Sequence, residues 1–244
     1  MDLSPLGWYR GITALILVLA ATSIAFYTIR HFYRVEERRL LVAATGLFFA
    51  GFGSAWYGEF VSFLSIISFG QPISDETYIR INGILTPLAL IGWVFVISDL
   101  FAKRWQNKVL LASILWSVTS IVIIELFYPS MTYFSDAEHL NLHYSGFADF
   151  YFETIIITIF LTGMWLVRVS QKNRDRPEVR LQGQLIFVAV FLASGGTSFD
   201  LLLGNNPVVL VLSRTILIVS LIFFYIGFYL PKRIKHAVLH LPGD

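Results

Sequence analysis

The sequence predicts an all-α polytopic membrane protein: a bundle of seven transmembrane helices, N-terminus outside and C-terminus cytoplasmic. Three observations carry this reading. First, 56% of the 244 residues are hydrophobic and 14% are charged, against about 25% charged in soluble domains. The mean hydropathy is +0.70, and so few charges cannot cover a water-facing surface. Second, apolar runs of bilayer length, about 20 residues, recur along the chain. Third, 15 of the 18 basic residues fall in alternate connections, which by the positive-inside rule face the cytoplasm. The same composition excludes a disordered chain, a nucleic-acid binder and, with no cysteine, a disulfide scaffold.

The expected spans are 8–29, 40–69, 78–101, 109–128, 148–168, 181–203 and 207–230, in one domain covering 1–244. The first opens on Trp8 and Tyr9, residues suited to the membrane interface. Ser23-Ile24-Ala25 has the form of a signal-peptide cleavage site. Cleavage there would put Arg30, Arg34, Arg38 and Arg39 outside and reverse the basic bias, so the span is read as retained. The second run, Leu40 to Phe69, is longer than a bilayer needs and must tilt, break or emerge on one side. It carries Gly46, Ala50, Ser54 and Gly58, a small-residue stripe that lets a neighbouring backbone approach. Glu59 lies in its outer half.

The third span holds Arg80 and Asn82 near its outer end, and Asp99 near the cytoplasmic side, within pairing reach of Lys103. Lys103, Arg104 and Lys108 form the next basic connection. Glu125 lies near the outer end of the fourth span. Pro129–Gly146 is the longest outer connection, with Asp136, Glu138, His139 and His143 but no Lys or Arg, and reads as a solvated loop. His139 and His143 have a spacing that suits zinc on a helix, which makes them candidate metal ligands. In the fifth span Asp149 and Glu153 sit one turn apart on one face. The sixth carries the small-residue run 193–198 and then Asp200. The tight turn Gly204-Asn205-Asn206-Pro207 brings Asp200 to nearly the depth of Arg214 in the seventh.

Charged residues inside a membrane usually face the bundle interior and mark function. Here Glu59, Glu125, Asp149, Glu153, Asp200, Arg80 and Arg214 all fall in the outer half. The surplus of acids over arginines needs protonation, water, a cation or a basic ligand to balance it. Glu59, Arg80, Asn82, Glu153, Asp200 and Arg214 are the candidate ligand-binding residues. Asp200 with Arg214 either locks two helices together or closes the floor of an outward-facing pocket. The cytoplasmic half offers only Asp99, which argues against a continuous proton relay. No phosphate loop, H-E-x-x-H, G-x-S-x-G or C-x-x-C motif occurs.

Tyr78-Ile79-Arg80-Ile81-Asn82-Gly83-Ile84-Leu85-Thr86-Pro87-Leu88 resembles the third helix of the microbial rhodopsins, and Val208–Arg214 resembles their retinal-lysine segment. In that comparison the counter-ion carboxylate falls on Ile81 and the retinal lysine on Arg214. The five lysines, 103, 108, 172, 232 and 235, lie at or near the cytoplasmic face, so covalent retinal is not supported and any cofactor stays unknown. A second resemblance runs from Arg174–Arg180 and Leu181-Gln182-Gly183 through Asp200 and Ser213-Arg214 to Phe224–Lys232. It is to a group of uncharacterised archaeal seven-helix membrane proteins, similar in layout to the sensor regions of some prokaryotic histidine kinases. That group supplies no established activity to carry over; it is the outer-half charges that lead to the expectation of a non-enzymatic, receptor-like protein of the cell membrane, with a small ligand or ion outside and a cytoplasmic or membrane signalling partner. A small-solute transporter or channel, and a membrane enzyme with an outer metal, stand as alternatives. The bilayer is the one partner the composition demands, and an oligomer is compatible with it.

Overall fold

A computed structural model of the chain describes residues 3–32, 39–134, 138, 140–172, 176–204, 206–231 and 234. The architecture is all-α, interrupted by one small hairpin. The elements are α1 (Pro5–Phe32), α2 (Arg39–Ser54), α3 (Tyr57–Phe69), α4 (Asp75–Phe101), α5 (Gln106–Met131), β1 (Thr132–Phe134), β2 (Leu142–Tyr144), α6 (Phe147–Gln171), α7 (Pro177–Leu203) and α8 (Pro207–Tyr229). A 3-10 turn at Lys103–Trp105 leads into α5. Among the described residues, six helices are long and apolar enough to cross a membrane. The overlong second run breaks into α2 and α3, bent by 52°, and counts as a seventh candidate if the pair makes one span.

The chain forms two units, Met1–Ile155 and Ile156–Asp244. In the first, α1 packs on α2 and α3, α4 packs on both of those, and α5 packs on α4. The crossing of α2 with α4 is set by two glycines. A Cβ on Gly51 would lie 2.1 Å from the Ala89 amide nitrogen, and one on Gly92 would lie 2.6 Å from both the Ala44 carbonyl oxygen and the Phe48 nitrogen. The two backbones therefore touch, with Phe48 against Trp93 (centroids 5.2 Å apart) filling the space beside them.

This corrects the expected stripe at 46, 50, 54 and 58. Gly46 faces Ile29 and Ala25 on α1, while Gly58 meets Tyr78 and Asn82 on α4. The face turned to α4 runs through Ala44, Phe48, Gly51 and Ser54. A helix advancing 3.6 residues per turn drifts off a strict four-residue spacing, and the break after Ser54 resets the phase.

Helix α5 has an inverted face pattern. It buries Gln106, Ser117, Ser120 and Ile124, and exposes Leu111, Leu115, Val118, Val122 and Leu126. Water would select the opposite arrangement; hydrocarbon on the outside permits this one. The helix also continues through Pro129 to Met131, past the expected loop start. Proline costs the bond to the Glu125 carbonyl, a tolerable loss in a final turn.

In the second unit α7 lies along α8. Gly196 seats against Leu217 and Gly227 against Ile186, while Gly195 faces open space. Proline at the first position and an Asn206 side chain accepting from the Val208 and Val209 amides start α8 cleanly.

Candidate functional site

The break between α2 and α3 creates the most polar interior of the first unit. Ser54 Oγ donates back to the Gly51 carbonyl (2.6 Å), and the Trp56 amide turns to Gly53 (3.1 Å). Helix α3 then restarts on Trp56, whose side chain gives no cap. A helix start leaves amides in need of acceptors. Asn82 supplies one from α4: its Oδ1 accepts the Gly58 amide at 2.7 Å. The Asn82 carbonyl accepts from Thr86 Oγ1 (2.5 Å), and the Thr86 and Ser54 hydroxyls lie 3.1 Å apart. Asn82, Thr86 and Ser54 are all buried. Glycine is required at 58, because a Cβ there would meet the Tyr78 ring at 2.6 Å.

Glu59 occupies the first turn of α3 and is 3% exposed. A carboxylate there offsets the positive end of the helix dipole, so this residue has a structural role whatever else it does. Arg10 is equally buried, on α1. It shares a face with Gly7, Gly11 and Ala14, and Gly11 packs on Phe63 of α3. Arg10 is not among the residues the sequence nominates; its place within that small-residue face was the signal that could have found it.

Arg80 and Asn82 do not work together. Two residues apart on a helix, they point roughly 200° away from one another. Asn82 turns inward, while Arg80 is exposed and pairs with Glu76 (2.6 Å) and Glu125 (3.4 Å). Glu153 is half-buried on α6, as is Asp149 a turn earlier. Asp99 pairs with Lys103 and also accepts from Gln106 Nε2 at 3.4 Å.

The connection expected to be a solvated loop is instead structured. Strands β1 and β2 pair antiparallel, Tyr133 opposite His143. Leu140, 1% exposed, packs with Phe63 and Ile66 of α3, and its carbonyl accepts from the Tyr78 hydroxyl at 3.2 Å. The Glu138 carboxylate accepts the Ser4 amide (2.5 Å) at the start of α1. Alternation along β2 turns His143 inward, where it stacks on Tyr133 and its Nε2 lies 2.9 Å from Asn141 Nδ2. His143 is thus buried rather than solvated. His139 lies outside the described residues. Among the described residues no three His, Cys, Asp or Glu side chains are grouped to hold a metal. Tyr144, which sequence reasoning passed over, reaches the Asn82 side chain; burial pushes its hydroxyl up to about 12, and the bond to Asn82 offsets part of that rise.

The second unit holds the expected pair. Arg214 Nε donates to Asp200 Oδ1 at 3.0 Å, and Ser213 Oγ lies 3.4 Å from the same oxygen. The arginine side chain is 3% exposed and the aspartate 14%. Of the six candidate residues, Glu59, Arg80, Asn82 and Glu153 belong to the first unit, Asp200 and Arg214 to the second.

Elsewhere in the first unit, the buried hydroxyls of Ser117, Ser120 and Tyr151 have no hydrogen-bond partner beyond a contact between Ser117 and Tyr151. Comparison of the chain with protein-family models, curated proteins and solved structures returns no match.

Proposed function

We propose that this chain is a seven-helix protein of the cell membrane, N-terminus outside, that senses a small ligand or ion through polar groups in the outer halves of its helices. One observation carries the reading: a buried hydrogen-bonded chain, Gly58 to Asn82 to Thr86 to Ser54, built at a helix break with Glu59 beside it. Polar groups are costly inside a membrane and tend to be kept for function. Arg80 and Glu153 in the first unit, and Asp200 with Arg214 in the second, are the other residues proposed to take part, each within its own unit. The surplus of acids points to a cation or a small basic ligand. A separate cytoplasmic or membrane partner reads out helix motion. The resemblance to archaeal seven-helix proteins and to rhodopsins without the retinal lysine belongs to the same proposal.

The test is thermal denaturation of the protein in nanodiscs, against alkali and alkaline-earth cations and small organic amines. At least one class is expected to raise Tm saturably, as ligand linkage requires. Glu59→Gln and Asp200→Asn should weaken that response. A Tm flat across the whole panel opposes the reading.

The break itself favours a second reading, a small-solute or ion transporter, because discontinuous helices commonly frame transport sites. Flux of the stabilising ligand into sealed proteoliposomes would decide for transport; binding without flux decides for sensing.

A further inference from the structure

We propose that Ser117, Ser120 and Tyr151 hold an ordered water between α5 and α6, a site independent of the polar chain at the helix break. The three side chains belong to residues 0%, 0% and 1% exposed. Ser117 reaches the Tyr151 hydroxyl across the helix interface, and beyond that contact none of the three hydroxyls has a hydrogen-bond partner. Ser120 follows Ser117 by three residues, on the same buried face of α5. The register is fixed on either side: Trp116 Nε1 donates to Thr154 Oγ1 at 3.2 Å, and Thr154 Oγ1 in turn donates to the Tyr151 carbonyl at 2.7 Å.

The alternative for a buried serine is to bond its own helix. Neighbouring residues do so: Ser113 to the Val109 carbonyl (2.7 Å), Ser130 to Phe127 (2.8 Å) and Thr132 to Tyr128 (2.8 Å). Ser117 and Ser120 break that habit at the level where a tyrosine hydroxyl also arrives. The three hydroxyls offer both donors and acceptors, and a buried water characteristically makes about three such bonds. The chemistry suits a small neutral hydrogen-bonding molecule, because no charged side chain belongs to the group.

The experiment is pulsed X-ray radiolysis of the protein in nanodiscs, in water enriched in oxygen-18, with side-chain labelling read by mass spectrometry. Bound water yields radicals in place, so a buried aromatic beside it is labelled. Trp93, also 1% exposed but packed on Phe48, is the internal control. Tyr151 is expected to label several-fold faster than Trp93, and the rate should drop when Ser117 and Ser120 are both changed to Ala. Equal rates for Tyr151 and Trp93 in the unaltered protein overturn the proposal. Should the double variant fail to fold, Ser120→Ala decides, because it removes one partner of the water and leaves the Ser117–Tyr151 contact in place: a drop in the Tyr151 labelling rate supports the proposal, and an unchanged rate overturns it.

Discussion

At the residue scale the clearest test concerns Asp200 and Arg214, joined at 3.0 Å with the arginine almost wholly buried. Removing one partner of a buried pair strands the other charge, which costs about 3–5 kcal/mol. Asp200→Asn and Arg214→Gln should each lower Tm strongly, and the double variant should recover part of the loss. Additive losses in that cycle would mean that the two side chains are not coupled. Tyr144 gives a second test, in alkali. Its folded hydroxyl stays protonated to about 12, while the unfolded phenol ionises near 10. Between those values the unfolded state binds fewer protons, so stability falls as pH rises from about 10 to 12 and is fully present below 10. Tyr144→Phe should flatten that part of the Tm profile. The sequence revealed Asp200 with Arg214 because a short turn fixes their relative depth. It hid Asn82's true partner, the Gly58 amide, because a backbone donor exposed by a helix break leaves no mark in composition. It also misjudged His143, since three-residue strands are too short to show their alternation.

At the scale of elements, the length of the run Leu40–Phe69 required it to tilt, break or emerge on one side, and the 52° bend makes it a break. The packing faces were less legible, because many glycines and alanines offer competing stripes and only the crossing geometry chooses between them. That choice can be tested with two alanines. Gly51→Ala drives a methyl to about the position of the Ala89 amide, where backbone, not a flexible side chain, must give way. Overpacking of this kind costs about 1–3 kcal/mol or more, so Tm should fall and expression with it. Gly195→Ala meets nothing within 4 Å. In a helix interior that exchange is neutral or stabilising by about 0.5–1 kcal/mol. Equal effects of the two substitutions would show that α2 and α4 do not cross at Gly51.

For the whole molecule, the inverted face of α5 and the apolar exterior of α8 join the composition in a single physical argument. Helix α8 buries Ser213, Arg214 and Ser220 among Leu210, Leu217, Leu221 and Phe224, while Val208, Leu212 and Ile222 are exposed. A chain that hides its polar groups and presents its leucines and valines is at home in hydrocarbon. Which way it points is then a matter of charge, and the lack of any native cysteine makes that directly measurable. Tyr133→Cys places a thiol at an exposed position of the hairpin, and Arg104→Cys places one in the basic connection before α5. Tyr133 is 56% exposed, so its replacement removes the stacking on His143 and little else, and Arg104 lies in an exposed turn. With the N-terminus outside, a membrane-impermeant maleimide added to intact cells should label Cys at 133 and leave Cys at 104 untouched until the membrane is permeabilised. The reverse pattern would turn the protein over and put the helix-break groups on the cytoplasmic side. Labelling of both in intact cells would mean that the stretch between them, which includes α5, does not cross the membrane.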